Sequence, residues 1–69
     1  MKEFKERLRE CRARKTVTQE ALCNELGIAY STYRRYERGG SEPTLSDAAK
    51  LAVYFGVSLD YLAGIEDEK

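Results

Sequence analysis

The chain has 69 residues, 42% hydrophobic and 35% charged, and its 12 Lys and Arg balance 12 Asp and Glu to a net charge of zero. That is one small domain, which buries only about 60% of the surface its unfolded form exposes, and whose overall charge does not announce a nucleic-acid partner. With no His, two Cys (Cys11 and Cys23) and five scattered Gly, it lacks a four-ligand zinc set, a Ser-His or Cys-His dyad and a Gly-rich phosphate loop, so no enzyme activity, metal or cofactor is expected.

The predicted elements are all helical. Residues 2–14 carry Phe4, Leu8 and Cys11 at i, i+4 and i+7, one stripe of an amphipathic helix. Arg12, Arg14 and Lys15 crowd its last turn, where the helix dipole favours cations, and β-branched Thr16 and Val17 break the run. Thr18 caps a second helix over 19–26, whose short apolar face is Ala21, Leu22, Cys23 and Leu26. Gly27 permits a tight turn, and Ile28 packs into the angle between helices. A third helix runs from 29 or 30 to 38 and ends at Gly39-Gly40, and Ser41-Glu42-Pro43 forms a loop. Thr44 caps a fourth helix, with Asp47 completing a weak capping box. Its stripe is Leu45, Ala48, Ala52 and Phe55, with Leu51 beside it, and Gly56 stops it. Ser58 caps a last short helix from Leu59 to Ala63, Gly64 ends it, and residues 65–69 form an acidic, frayed tail. Five short helices, no strand-like alternation, no repeat and no linker define an all-α fold over residues 1–64 with a single core.

No apolar run reaches 18 residues, so no membrane span is expected, and the charged N-terminal stretch does not read as a secretory leader. Cys11 and Cys23 then read as reduced core thiols of a cytoplasmic protein; the alternative, a disulfide, needs their Cβ atoms face to face.

Charge is uneven along the chain. Residues 1–40 hold ten basic and six acidic residues, a net of +4, and residues 41–69 hold two basic and six acidic, a net of −4. The split gives the domain a directed field that can meet an anionic partner at one end, or it is solubility chemistry distributed by chance.

Two short helices joined by a Gly-centred turn are the geometry of the helix-turn-helix, and residues 18–39 have it. At about 100° per residue, Ala29, Tyr33 and Tyr36 of the third helix fall on one side and Ser31, Arg34, Arg35 and Arg38 on the other, with Tyr30 at the leading flank. A face of one hydroxyl and three guanidinium groups suits guanine edges and phosphates, although a basic helix face is also an ordinary way to meet solvent. Glu37 lies nearer the core side and needs a partner: Arg12 on the first helix, or a local pair with Arg34 or Arg38.

These motifs, in order, are Arg7-Leu8-Arg9 through Arg12, Thr18-Gln19-Glu20-Ala21-Leu22, Leu26-Gly27-Ile28, Ser31-Thr32, Tyr36-Glu37-Arg38-Gly39, Glu42-Pro43-Thr44, Leu51-Ala52 and Gly56-Val57-Ser58-Leu59-Asp60-Tyr61-Leu62. The ordered set, over about residues 4–64, resembles the lambda-repressor-like helix-turn-helix family of Cro/C1 or XRE type. The resemblance implies a compact five-helix domain that binds a palindromic double-stranded DNA operator in the major groove, as a homodimer at least on DNA. It makes Tyr30, Ser31, Arg34 and Arg35 candidates for reading bases. Thr18, Gln19, Thr32 and Arg38 are candidates for backbone contact, and Arg12 with Glu37 is a structural ion pair. Dimer contacts are expected from Ser41, Glu42, Val57, Leu59, Tyr61 and Ile65. The sequence departs from the family pattern at Ala29 (often Ser or Thr), Cys23 (a small Ala), Tyr33 (an aliphatic residue) and Thr16 (commonly Gly).

The function expected is sequence-specific regulation of transcription, in the form of a repressor. The alternative is an antitoxin-like or regulatory module that uses the same fold to bind a protein partner. The chain ends almost as soon as the fold does, which fits a stand-alone regulator or the DNA-binding part of a longer protein.

Overall fold

The computed structural model describes residues 4–67. Five helices follow in chain order: α1 (Phe4–Lys15), α2 (Gln19–Leu26), α3 (Tyr30–Arg38), α4 (Leu45–Phe55) and α5 (Leu59–Ala63). Every expected helix is present. Residues 2 and 3, expected in the first of them, and Glu68 and Lys69 of the tail lie outside the described residues.

Local chemistry sets most of the boundaries. Thr18 Oγ1 accepts from the Ala21 amide at 3.0 Å, Thr44 Oγ1 from that of Asp47 at 3.1 Å, and Ser58 Oγ from that of Tyr61 at 3.0 Å. Each bond satisfies one of the donors that a helix start leaves unpaired. Ala29 opens α3 without a side-chain cap. In the α2–α3 turn, Gly27 sits at φ 69°, in the left-handed region, with open space where a Cβ would be. The turn therefore requires glycine for its backbone conformation and not for room.

The core consists of Leu8 and Cys11 of α1, Leu22 and Cys23 of α2, Ile28 of the turn, Tyr33 and Tyr36 of α3, Leu51 and Ala52 of α4, and Tyr61 and Leu62 of α5. Both cysteines are buried and free, not joined in a disulfide. Burial, and then the nearby Glu37 charge, push the Cys23 thiol up, which leaves it a poor nucleophile at neutral pH. Among the described residues no helix is long and apolar enough to cross a membrane.

Three expectations need correction. Leu45, placed on the inward stripe of the fourth helix, is 78% exposed. It has the azimuth of Ala52 but occupies the first position of α4, so its exposure reflects the end of the helix and not its phase. Tyr61, expected at a dimer face, is 5% exposed. Its ring lies under the Arg7 guanidinium, 4.1 Å from the centroid, and it belongs to the core. The frayed tail does not hold for residues 66 and 67: Arg7 Nη1 donates to the Glu66 carbonyl and Nη2 to Asp67 Oδ1, both at 2.8 Å. Arg7 is itself buried, at 2% exposure. It sits four residues before Cys11, on the inward side of α1, where the two Nη groups have acceptors and the buried Nε has none among the described residues.

Thr16 is the single non-glycine residue with positive φ among the described residues, at 53°. A β-branched side chain in that region costs about 1–2 kcal/mol. Thr16 is exposed and its hydroxyl bonds only the carbonyl of Lys15. Thr16→Gly is therefore expected to stabilise the domain by about 0.5–1 kcal/mol once the added freedom of the unfolded chain is deducted. Thermal unfolding should show this as a rise of several degrees in Tm.

Candidate nucleic-acid interface

α3 divides into two surfaces. Tyr33, Tyr36 and Glu37 are buried, whereas Tyr30, Ser31, Arg34, Arg35 and Arg38 are exposed and Thr32 is half-buried. Ser31, Arg34, Arg35 and Arg38 line one shallow recess of about 180 Å³. Arg34 lies 5.6 Å from the centroid of the Tyr30 ring. Among the described residues no carboxylate lies within ion-pair distance of Arg34, Arg35 or Arg38. These three charges are thus presented to solvent by a helix whose other side is anchored.

The anchoring is aromatic and polar at once. Tyr33 and Tyr36 meet edge to face at 6.5 Å, and Phe4 of α1 meets Tyr36 in the same way at 6.2 Å. The Tyr36 hydroxyl donates to Asp47 Oδ2 at 2.6 Å, which ties α3 to the first turn of α4. The Tyr33 hydroxyl donates to Glu37 Oε2. Burial, and then the bond to Glu37, raise the Tyr33 phenol above its ordinary value, which favours the protonated, donating form.

Glu37 is the meeting point. Its carboxylate accepts from Arg12 Nε at 2.7 Å, Arg12 Nη2 at 3.2 Å, Gln19 Nε2 at 3.1 Å and the Tyr33 hydroxyl. Of the two partners open to it in the sequence, the structure selects Arg12. The backbone carbonyl of Glu37 also accepts from Arg9 Nη1 at 2.7 Å, which caps the last turn of α3 with a cation. Burial by itself would push the Glu37 carboxyl up. The hydrogen bonds from Arg12, Tyr33 and Gln19, together with the Arg12 charge, outweigh it and hold the carboxyl below the ordinary carboxylate range.

The candidates for backbone contact flank this face. Thr18 and Gln19 stand at the start of α2. The Thr18 oxygen caps the helix, leaving its hydroxyl proton free to donate, and one N–H of the Gln19 amide serves Glu37 while the other remains. Sequence reasoning missed the roles of Arg7, Arg9, the Gln19–Glu37 bond and the Tyr36–Asp47 bond. Arg7 was findable, because it shares the inward side of α1 with Phe4, Leu8 and Cys11. The others depend on how helices cross. Of the dimer candidates, Leu59 and Ile65 are 41% and 63% exposed. Val57 is half-buried against the core. Leu59 shares an open, largely apolar recess of about 390 Å³ with Phe4, Pro43, Leu45 and Ala48.

Because Glu37 is ionised and buried, removing its charge or its donors should be costly. Glu37→Gln is expected to cost about 2–4 kcal/mol. Tyr33→Phe should cost about 1.5–3 kcal/mol by depriving a charged acceptor of its donor. The pH dependence follows from the lowered carboxyl. The stabilisation is complete above the unfolded carboxylate range and is lost as pH falls through the lower folded value. Denaturant melts from pH 6 to pH 3 should show the wild type losing more stability in acid than Glu37→Gln does.

Comparison with known proteins places this arrangement. The Helix-turn-helix family model matches residues 8–62. The SPbeta prophage-derived uncharacterized HTH-type transcriptional regulator YonR of Bacillus subtilis is 42% identical over 59 residues, which is 86% of this chain and 55% of that protein. The HTH-type transcriptional regulator MJ0272 of Methanocaldococcus jannaschii, also uncharacterized, is 35% identical over 66 residues, 96% of this chain and 100% of that protein. The cryptic phage CTXphi transcriptional repressor RstR of Vibrio cholerae is 34% identical over 81% of this chain and 50% of its own length. This chain thus spans about half the length of several relatives. Among solved structures, the P22 c2 repressor protein, crystallised in complex with a synthetic operator, superposes with a TM-score of 0.87 at 26% identity, covering 96% of this chain and 100% of that one. With five helices in this order, a glycine turn between α2 and α3 and a family match over most of its length, the chain belongs to the helix-turn-helix family.

Proposed function

We propose that the chain is a sequence-specific double-stranded DNA-binding regulator of transcription, a repressor in form, that lays α3 in the major groove. The observation that carries this reading is the exposed set Ser31, Arg34, Arg35 and Arg38 on one side of a helix whose other side is locked by Tyr33, Tyr36 and Glu37. A helix held rigidly from behind can present guanidinium forks to base edges without first paying to order its own backbone. The P22 c2 repressor, of the same fold, is found on an operator, and relatives carry the names of transcriptional regulators and repressors. The absence of a catalytic His and of a metal set in the sequence favours binding over catalysis. A protein of this kind acts in the compartment that holds its DNA, here the cytoplasm.

Arg35 and Ser31 read bases in this arrangement together with the Tyr30 end of α3. Thr18, Gln19, Thr32 and Arg38 meet the phosphates on either side, and Arg12 and Glu37 set the angle of the helix. A second copy of the chain completes a palindromic site. The apolar recess around Leu45 and Leu59, with exposed Ile65 nearby in sequence, supports self-association through this end. The C-terminal part, with its net charge of −4, is suited to face away from the duplex. The same apolar end suits a protein partner in the alternative reading.

Selection from a random duplex pool should enrich a two-fold symmetric sequence. Six or more phosphate contacts per dimer imply a slope of log K against log salt of about −5 or steeper. Arg35→Ala is expected to cost about 1–3 kcal/mol and to relax preference at one base pair per half-site, whereas Gln19→Ala should weaken all duplexes alike. A salt-insensitive chain with no enriched sequence, recovered instead with a stoichiometric protein partner, would overturn the DNA reading.

A further inference from the structure

We infer that Arg34 determines specificity for a guanine, and that it does so as a unit with Tyr30, whose ring holds the guanidinium in a reading position. The inference rests on the DNA-binding reading and names the base and the device. Tyr30 is the first residue of α3 and Arg34 lies one turn later, at the i, i+4 spacing that brings side chains together on a helix surface. The guanidinium carbon of Arg34 stands 5.6 Å from the ring centroid, within the range of a cation–π contact. Of the three arginines on this face, Arg34 is the one with an aromatic ring against it among the described residues.

The consequence is geometric. An exposed arginine samples many rotamers, and fixing it on a base costs side-chain entropy. A guanidinium already in contact with a ring has fewer rotamers left to lose, so part of that ordering is complete before DNA arrives. No carboxylate among the described residues competes for the edge. Two parallel N–H groups match the O6 and N7 acceptors of guanine in the major groove, the commonest specific contact of arginine. Arg34 is the fifth of the nine residues of α3, one turn in from Tyr30 at the N-terminal end, the end through which a recognition helix reaches base edges. Arg38, in contrast, closes the C-terminal end of α3. The ring also needs no hydroxyl for this task, which separates it from a tyrosine that hydrogen-bonds DNA directly.

The test uses the full chain and a duplex enriched from a random pool, with each base pair of a half-site then varied singly. Binding is measured for wild type, Arg34→Ala, Arg34→Lys, Tyr30→Phe, Tyr30→Leu and the double variant Tyr30→Leu/Arg34→Ala. Thermal melts verify that these exposed positions leave the fold intact. The wild type should prefer G·C at one pair by about tenfold to a hundredfold. Arg34→Ala, Arg34→Lys and Tyr30→Leu should each flatten that same preference, Tyr30→Phe should retain it, and the double variant should lose no more there than Arg34→Ala does. The inference is overturned if Arg34→Ala weakens all duplexes equally or none, if Tyr30→Leu leaves the preference intact, or if Tyr30→Phe abolishes it. A wild type that enriches no sequence overturns the DNA reading and this inference together, whereas an enriched site indifferent to Arg34 overturns this inference alone.

Discussion

A carboxylate that is 4% exposed can stay ionised only if its surroundings replace the water it has lost, and Glu37 imposes that condition on the whole domain. α1 supplies the Arg12 fork, α2 the Gln19 amide and α3 the Tyr33 hydroxyl. The four hydrogen bonds can form together only when the three helices cross in one arrangement. The arrangement that satisfies Glu37 is also the one that turns Arg34, Arg35 and Arg38 outward. A hydrophobic core alone would tolerate small slides of α3 against α1 and α2. A directional polar hub resists them, because a shift that lengthens any one bond leaves charge uncompensated.

Tyr33 shows how an apparent departure from the family pattern becomes part of this hub. Where an aliphatic residue would only fill volume, the phenol fills it and brings a donor to the carboxylate. Tyr36 does the same toward Asp47, so α3 is fastened to α4 by a second polar contact inside the aromatic packing with Phe4. The start of α3, at Ala29, lacks the side-chain cap present at α2, α4 and α5. Arg7 acts on a smaller scale, holding the ring of Tyr61 and the chain at residues 66 and 67 against α1. The molecule therefore has a polar clamp beneath its basic face and another beneath its acidic end.

Much of this was legible in the residues themselves. Thr18, Thr44 and Ser58 before apolar runs, and Gly27, Gly39, Gly56 and Gly64 after them, delimit the helices through bonds and torsions that act within a few residues. The two-sided character of α3 follows from its period alone, since Tyr33 and Tyr36 fall opposite Arg34, Arg35 and Arg38. Periodicity misplaced Leu45, because phase on a helix says which way a side chain points and not whether a neighbour stands there to cover it.

What the amino-acid order determined by itself was therefore the set of helices, the turn between α2 and α3 and the basic face of α3, since each arises from interactions over four residues or fewer. Only the tertiary structure decided that Glu37 takes Arg12 together with Gln19 and Tyr33, that Arg7 is buried against Tyr61 and Asp67, and that Tyr61 belongs to the interior. Those partners are separated by as many as 60 residues. Hydrogen bonds and ion pairs need ångström-level placement, and the crossing of packed helices that supplies it is a property of all the buried side chains at once.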